Sequence, residues 1–145
     1  EVASSFALVL EERKGEIHLD LQASRPLVKG DRVHLSNALA NLIDNAIKYS
    51  PEAPHVTVST RDEGGDLAVE VADRGIGIAR EHLRHVFERF YRVPTGNVHD
   101  VKGFGLGLHH VQQVIKAHHG SVRVHSEPGR GSRFTLLLPR TTPTP

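Results

Sequence analysis

The order of the predicted elements favours an α+β fold, a two-layer α/β sandwich with helices packed on one face of a mixed, mostly antiparallel sheet. Three observations predict it. Two amphipathic helices each precede a pair of short strands, and each pair is joined by a glycine-containing turn typical of antiparallel hairpins. A further strand lies before the first of these helices. A glycine-rich stretch over residues 73–107 interrupts this order and predicts a long lid or binding loop.

The first part of the chain is predicted to form a short helix, a strand and a long helix. Residues 4–14 have a helical pattern that Gly15 should end. Apolar and polar residues alternate over residues 17–21, which predicts a half-buried strand. Asp31 is a suitable N-cap for a helix over residues 32–49.

The rest of the chain is predicted to form two hairpins and two further helices. They are strands 56–60 and 67–71, a short helix near 81–87, a helix over 106–119 that Gly120 should end, and strands 121–126 and 133–138. We expect one domain over residues 1–140, followed by a flexible tail rich in threonine and proline at residues 141–145.

Composition argues against several classes of protein. The 145 residues carry 18 Lys and Arg against 17 Asp and Glu, a net charge of +1, which disfavours binding to nucleic acid or an anionic membrane. The absence of cysteine excludes disulfides, thiolate metal sites and cysteine nucleophiles. No apolar run approaches the roughly 18 residues of a membrane-spanning helix. The absence of methionine indicates a piece of a longer protein, and the 11 histidines direct attention to metal binding, pH sensing or phosphotransfer.

Polar residues form one stripe on the long predicted helix. Asn41, Asn45 and Lys48 are spaced by four and three residues, and Asn37 continues the stripe one turn earlier. Asparagine is a weak helix former, so a merely solvated face would more often carry Glu, Lys or Arg. Amide oxygens and a lysine would suit a divalent cation and phosphates. A solvated face is the alternative.

A carboxylate ends an otherwise apolar strand face. Asp73 has the parity of the apolar residues in strand 67–71, so the strand should point it to the buried side, where it needs donors. Gly75 and Gly77 follow it, and glycine lets the backbone approach a flat ligand. An Asp beside such a turn could accept from the amine of adenine. The alternative is a strand-end cap or a salt bridge.

The glycines before the last predicted helix suit an anion. Gly103, Gly105 and Gly107 lead into that helix, and backbone N–H groups at a glycine-rich helix start can bind phosphate. The chain has neither the P-loop pattern nor the dinucleotide-binding pattern. A structural hinge is the alternative.

With these motifs in place, the chain resembles the ATP-binding catalytic domain of sensor histidine kinases in the GHKL superfamily, which has the Bergerat fold. Residues 41–50 resemble the N box, residues 73–78 the G1 box, residues 87–92 the F box and residues 102–108 the G2 box. The match covers nearly the whole chain, with the boxes in the usual order and spacing. It implies that the glycine-rich stretch is a long ATP lid.

The resemblance implies roles for individual residues. Asn45 would ligate Mg²⁺. Asn41, Lys48 and Arg92 would be the catalytic residues at the phosphates. The residues implied in binding ATP are Asn45, Tyr49 against the adenine, Asp73 at its amino group, Gly75, Gly77, Ile78, Lys102, Gly103, Gly105, Leu106, Gly107 and Leu108.

Activity and partners are implied in the same way. The domain would bind Mg-ATP and transfer the γ-phosphoryl group to a histidine on a separate dimerisation and phosphoacceptor helical hairpin, absent here, to which residues 1–15 would link it. A response regulator would act downstream. The full-length protein would be a homodimer and a bacterial receptor anchored in the inner membrane, with this domain in the cytoplasm. Alone, the chain should bind ATP but autophosphorylate little. Phe87, Phe90 and Tyr91 would contact the hairpin or pack within the lid.

Other functions stay open. ATPases of the gyrase, chaperone and mismatch-repair type, and serine kinases of the anti-sigma type, typically have Glu where this chain has Asn41. Because Asn cannot act as a general base, phosphotransfer is favoured over hydrolysis. A non-catalytic nucleotide sensor is disfavoured by the intact Asn45, Lys48 and Asp73. A histidine-rich metal protein is disfavoured because the histidines lack the usual ligand spacing.

Overall fold

The computed structural model describes residues 1–24, 28–89 and 107–140. Its helices are α1 (Ala7–Glu12), which follows a 3-10 turn at Ala3–Phe6, α2 (Arg32–Lys48), α3 (Arg80–Leu83) and α4 (Gly107–Ala117). Its strands are β1 (Glu16–Leu21), β2 (His55–Glu63), β3 (Asp66–Asp73), β4 (Ser121–Glu127) and β5 (Gly131–Pro139). The elements follow the predicted order. Most of the predicted lid, from residue 90 to residue 106, lies outside the described residues.

The described strands form one mixed sheet in the order β1-β2-β3-β5-β4. β1 runs parallel to β2, and every other neighbouring pair is antiparallel. The predicted mixed, mostly antiparallel sheet is confirmed, as are its two hairpins. The central β3–β5 pairing places Ala72 opposite Arg133, which brings the end of β3 to the beginning of β5.

α2 and α4 pack against each other and on one face of the sheet, so the two-layer sandwich is also confirmed. Leu42 and Ile43 of α2 and Ile115 of α4 are fully buried against Val71 and Phe134 of the sheet. Burying an aliphatic side chain of this size contributes roughly 1.5–3 kcal/mol. This core holds the C-terminal end of α2 beside the loop that follows β3.

The start of α2 matches the prediction. The Asp31 side chain accepts a hydrogen bond from the backbone N–H of His34 at 3.0 Å. That N-cap bond favours the ionised carboxylate and lowers the pKa of Asp31. The helix then runs to Lys48, with Tyr49 as the C-cap residue.

The helices before Gly15 and Gly120 each end two residues earlier than predicted, at Glu12 and Ala117. Lys14 and His119, not the glycines that follow them, adopt the left-handed conformation, with φ of 54° and 64°. Gly15 and Gly120 are required for space instead. A Cβ on Gly15 would lie 2.6 Å from the carbonyl oxygen of Pro54, and one on Gly120 would lie 2.1 Å from that of Leu137. In each case the residue before the glycine turns the chain, and the glycine makes room for a neighbouring segment. The helix predicted near 81–87 is also shorter, since α3 ends at Leu83.

The prediction for β1 is wrong in one respect. Ile17 packs against the core, but Leu19 and Leu21 are 48% and 64% exposed. β1 is an edge strand, and α2 packs mainly on β2 and β3. The apolar alternation therefore predicted the strand correctly but not the burial of its last residues.

Candidate functional site

A small cavity opens between the C-terminal end of α2, the loop after β3 and the beginning of β5. Its walls are mostly apolar, with one carboxylate and a few other polar groups. The lining residues are Asn45, Tyr49, Asp73, Ile76, Gly77, Ile78, Val86, Leu108, Ser132 and Phe134. A largely apolar cavity with few polar groups is typical of a small-molecule site.

The Asp73 carboxylate is held through one of its oxygens. Oδ1 accepts hydrogen bonds from the backbone N–H of Gly75 at 2.9 Å and of Ser132 at 3.2 Å. Oδ2 has no hydrogen-bond partner among the described residues. Burial raises the pKa of Asp73, and the two backbone donors oppose that rise. The side chain therefore presents a partly desolvated acceptor to the cavity.

The loop after β3 is wedged between two other segments. The N–H of Ile76 donates to the carbonyl of Tyr49 at 3.1 Å, and the N–H of Gly129 donates to the carbonyl of Ile76 at 2.8 Å. Gly77 has a φ of 72°, and a Cβ there would lie 2.0 Å from the carbonyl oxygen of Glu127. The loop is thus attached to the end of α2 on one side and to the β4–β5 turn on the other.

The three polar residues of the α2 stripe that were predicted for the site have different surroundings. Asn45 lines the cavity. Asn41 lies at the start of α4, where a Cβ on Gly107 would be 3.9 Å from its amide oxygen. Lys48 forms an ion pair with Asp44, with Nζ 2.8 Å from Oδ2. The stripe therefore runs from the cavity toward the helix that follows the predicted lid.

Six of the site residues predicted from the sequence line the cavity. They are Asn45, Tyr49, Asp73, Gly77, Ile78 and Leu108. Gly75 contacts Asp73, Gly107 lies beside Asn41, and Lys48 is paired outside the cavity lining. The others lie outside the described residues: Arg92, Lys102, Gly103, Gly105 and Leu106.

Sequence reasoning missed two buried serines next to Asp73. Ser132 lines the cavity, and the hydroxyl of Ser126 lies 2.7 Å from its hydroxyl. A signal for both was available. Each is a polar residue on the inward-facing side of its strand, at the strand end, as Asp73 is. Ile76, Val86 and Phe134, which also line the cavity, were not singled out as site residues either.

Phe87 packs within the domain. Its ring meets that of Phe134 edge to face, with centroids 6.2 Å apart and planes at 87°. Nδ1 of the His109 ring lies 3.2 Å from the carbonyl oxygen of Phe87. Phe87 therefore packs on β5 and α4, and its predicted contact with the hairpin stays a prediction. Phe90 and Tyr91 lie outside the described residues.

A family model described as histidine kinase-, DNA gyrase B-, and HSP90-like ATPase matches residues 30–142. The match includes every residue of the cavity and the whole of α2.

None of the helices in the described segments combines the length and the apolar character that crossing a membrane requires.

Curated relatives are similar to most of this chain. Sensor protein RprX of Bacteroides fragilis is 46% identical over 140 residues, which cover 95% of this chain and 27% of the relative. Sensor-like histidine kinase SenX3 of Mycobacterium tuberculosis strain H37Rv is 49% identical over 112 residues, which cover 77% of this chain and 27% of the relative. The chain thus spans about a quarter of the length of these relatives.

Solved structures share the fold. The mycobacterial sensor histidine kinase MprB superposes with a TM-score of 0.79 at 29% identity, covering 97% of this chain and 95% of that one. Full-length ShkA, in complex with AMPPNP, superposes with a TM-score of 0.84 at 29% identity, covering 99% of this chain and 29% of that one.

Proposed function

The chain belongs to the family of histidine kinase-, DNA gyrase B- and HSP90-like ATPases, and on that premise we propose that it is the Mg-ATP-binding catalytic domain of a two-component sensor histidine kinase. The observation that carries the proposal is the Asp73 carboxylate in an apolar cavity. One oxygen is held by two backbone N–H groups, and the other has no partner among the described residues. Adenine presents an apolar ring and an exocyclic amine, which match that cavity and that oxygen.

The remaining cavity residues would hold the base and lead toward the phosphates. Tyr49, Ile78 and Leu108 would pack on the adenine ring. Asn45 lies in the same cavity, and Asn41 lies one turn away along α2, beside Gly107. The triphosphate would therefore extend from the cavity along α2 toward the start of α4.

The donor set fits a magnesium ion delivered with the nucleotide. In the three segments that the structure describes, no three His, Asp or Glu side chains come together to hold a metal. Asn45 offers a neutral, hard amide oxygen, and Mg²⁺ often uses few protein ligands together with substrate phosphates. When bound, the ion would supply positive charge against the phosphate oxygens.

The chain's own residues would position and neutralise the triphosphate. Lys48 would exchange its ion pair with Asp44 for a phosphate contact. Arg92, Lys102 and the glycines of residues 103–107 would act from the segment that begins at residue 90. Phosphoryl transfer depends mainly on such positioning and electrostatic stabilisation.

A histidine on a separate helical hairpin would accept the γ-phosphoryl group. Its ring nitrogen would form the new bond to phosphorus as the bond to the β,γ-bridging oxygen breaks, and ADP would leave. Hydrolysis is the second candidate, and Asn41 disfavours it because an amide cannot take a proton from water. Further partners would be a response regulator and a second copy of the full-length protein. The whole protein would be a membrane-anchored bacterial receptor with this domain in the cytoplasm.

Displacement of a fluorescent ATP analogue tests the nucleotide site. Asn45→Ala and Asp73→Asn should each weaken binding, whereas Asn37→Ala should not, because Asn37 is exposed on the same helix two turns before Asn45. Unchanged affinity in both site variants would refute the site. Adding a cognate helical hairpin, with and without Mg²⁺, then separates kinase from ATPase. Phosphate on the hairpin histidine supports the kinase, and free phosphate without it supports hydrolysis.

A further inference from the structure

The Ser126 hydroxyl lies at the centre of a buried network beside the candidate site. It accepts a hydrogen bond from the N–H of Ile78 at 2.7 Å and donates one to the carbonyl of Gly131 at 3.0 Å. It also lies 2.7 Å from the hydroxyl of Ser132. Both serines are buried. Ser126 thus connects the loop after β3 with the beginning of β5, the two segments that supply the donors to Asp73.

The number of protons available determines which of the two serines donates the hydrogen bond between them. A serine hydroxyl has one proton to donate and two lone pairs. The N–H of Ile78 can only donate and the carbonyl of Gly131 can only accept, so Ser126 uses its own proton on Gly131. All three contacts are satisfied only if Ser132 donates its proton to Ser126. The opposite direction would leave the buried contact to Gly131 without a proton, which is unfavourable.

This direction determines what the cavity presents to a ligand. Ser132 lines the cavity, so with its proton turned toward Ser126 its hydroxyl would present only lone pairs to a ligand there. Asp73, held by the N–H of the same Ser132, is an acceptor as well. Together the two side chains form an edge of the cavity at which both act only as hydrogen-bond acceptors. Such an edge suits a purine with an amine at position 6 and disfavours one with an oxygen there.

We propose that Ser126 is a positioning residue for base selection: by taking the proton of Ser132, it keeps that hydroxyl an acceptor beside Asp73 and so disfavours 6-oxopurine nucleotides. This inference rests on the proposed nucleotide site. Ser126 does not line the cavity, so its effect would pass through Ser132 and the loop at Ile78.

The test compares dissociation constants for ATP and inosine triphosphate, measured by displacement of a fluorescent ATP analogue. In Ser126→Ala the Ser132 hydroxyl is free to turn its proton to the 6-oxo group. The preference for ATP over inosine triphosphate should fall by about fivefold, the effect of one net hydrogen bond. Ser126→Thr keeps the hydroxyl and should keep the preference. In the double variant Ser126→Ala, Ser132→Ala no proton is available, so the preference should return.

The outcomes separate the two proposals. If the wild-type chain does not bind ATP, both are overturned. If it binds ATP and Ser126→Ala weakens both nucleotides equally, Ser126 is merely structural and this inference alone fails. A lost preference that persists in the double variant also overturns it. If Ser126→Ala does not fold, Ser126→Cys replaces it, because a thiol of similar size is a weak acceptor. A preference that falls in the cysteine variant supports the inference, and an unchanged one refutes it.

Discussion

The backbone N–H of Ser132 donates a hydrogen bond to Oδ1 of Asp73 at 3.2 Å, although the two residues are 59 positions apart in the sequence. Antiparallel pairing of β3 with β5 brings the two strand ends together. The N–H of Gly75 donates to the same oxygen at 2.9 Å. The carboxylate is therefore fixed through Oδ1, and Oδ2 is the atom that a ligand would meet.

Asp73→Asn should weaken ATP binding without lowering the stability of the domain. An asparagine keeps an acceptor for both backbone N–H groups and removes a buried charge, so the Tm should stay the same or rise. Its amide nitrogen would face the amine of adenine, and ATP affinity should fall by about tenfold or more. Thermal unfolding and analogue displacement measure the two effects. Asp66→Asn, at the other end of β3, is the matched control and should bind normally.

The Asp73 carboxylate should make the stability of the domain and its ATP affinity change with pH in opposite directions. Because burial raises the pKa of Asp73 above its usual 3.8, the folded domain holds this proton more tightly than the unfolded chain does. The stability contributed by Asp73 should therefore decrease as the pH rises from 3.8 through the raised pKa. ATP affinity should change the other way, since protonation on acidification leaves a poorer acceptor. Tm and dissociation constants measured across this range check both trends, and Asp73→Asn should remove them. An affinity that stays constant on acidification would contradict the assigned role.

Local patterns predicted the parts of the fold that depend on one segment. The spacing of apolar residues in α2 and the parity of Asp73 in β3 both follow from the period of a single element. They placed Asn45 on one polar face of its helix and Asp73 on the inward side of its strand, and the fold brings both residues to one cavity. The same parity was present at Ser126 and Ser132, but their partners lie on other segments. Recognising that network requires the pairing of β3 with β5, which no single strand encodes.

The backbone conformation at the helix ends also depends on distant segments. Glycine after a helix usually indicates a left-handed residue. At Gly15 and Gly120 the glycine is required because Pro54 and Leu137, distant in sequence, approach closely. Lys14 and His119 then adopt the left-handed conformation themselves. The sequence predicted that each helix ends there, and only tertiary contacts decide which residue turns the chain.

Gly77→Ala should destabilise the domain strongly. Its φ is 72°, and the new Cβ would lie 2.0 Å from the carbonyl oxygen of Glu127. Left-handed strain and overpacking together predict a loss of about 2–5 kcal/mol in the free energy of unfolding. Chemical denaturation would measure it. Gly65→Ala is the control, because no atom lies within 4 Å of its added Cβ. A Gly77 variant as stable as the Gly65 variant would argue against the close packing of this loop.

Arg13 links the short helix α1 to the C-terminal end of α2. Its guanidinium donates to the carbonyl of Ile47 at 2.9 Å, to that of Glu52 at 3.2 Å, and also to that of Ser50. Carbonyls at the end of a helix lack partners within the helix, and a cation there also interacts favourably with the helix dipole. This end of α2 carries Tyr49, whose carbonyl in turn accepts from the loop after β3.

Arg13→Ala should therefore lower both stability and ATP affinity. Losing the charged donor leaves several carbonyls without it, and about 1.5–3 kcal/mol of unfolding free energy should be lost. Affinity should fall because Tyr49 and the loop are held less firmly. Arg13→Lys should restore only part of the stability, since an ammonium cannot reproduce the planar fork of donors. Glu12→Ala, at an exposed neighbouring position, is the control. Denaturant unfolding and analogue displacement on the same samples would check both effects, and an Arg13→Ala variant matching Glu12→Ala in both would show that this contact does not support the site.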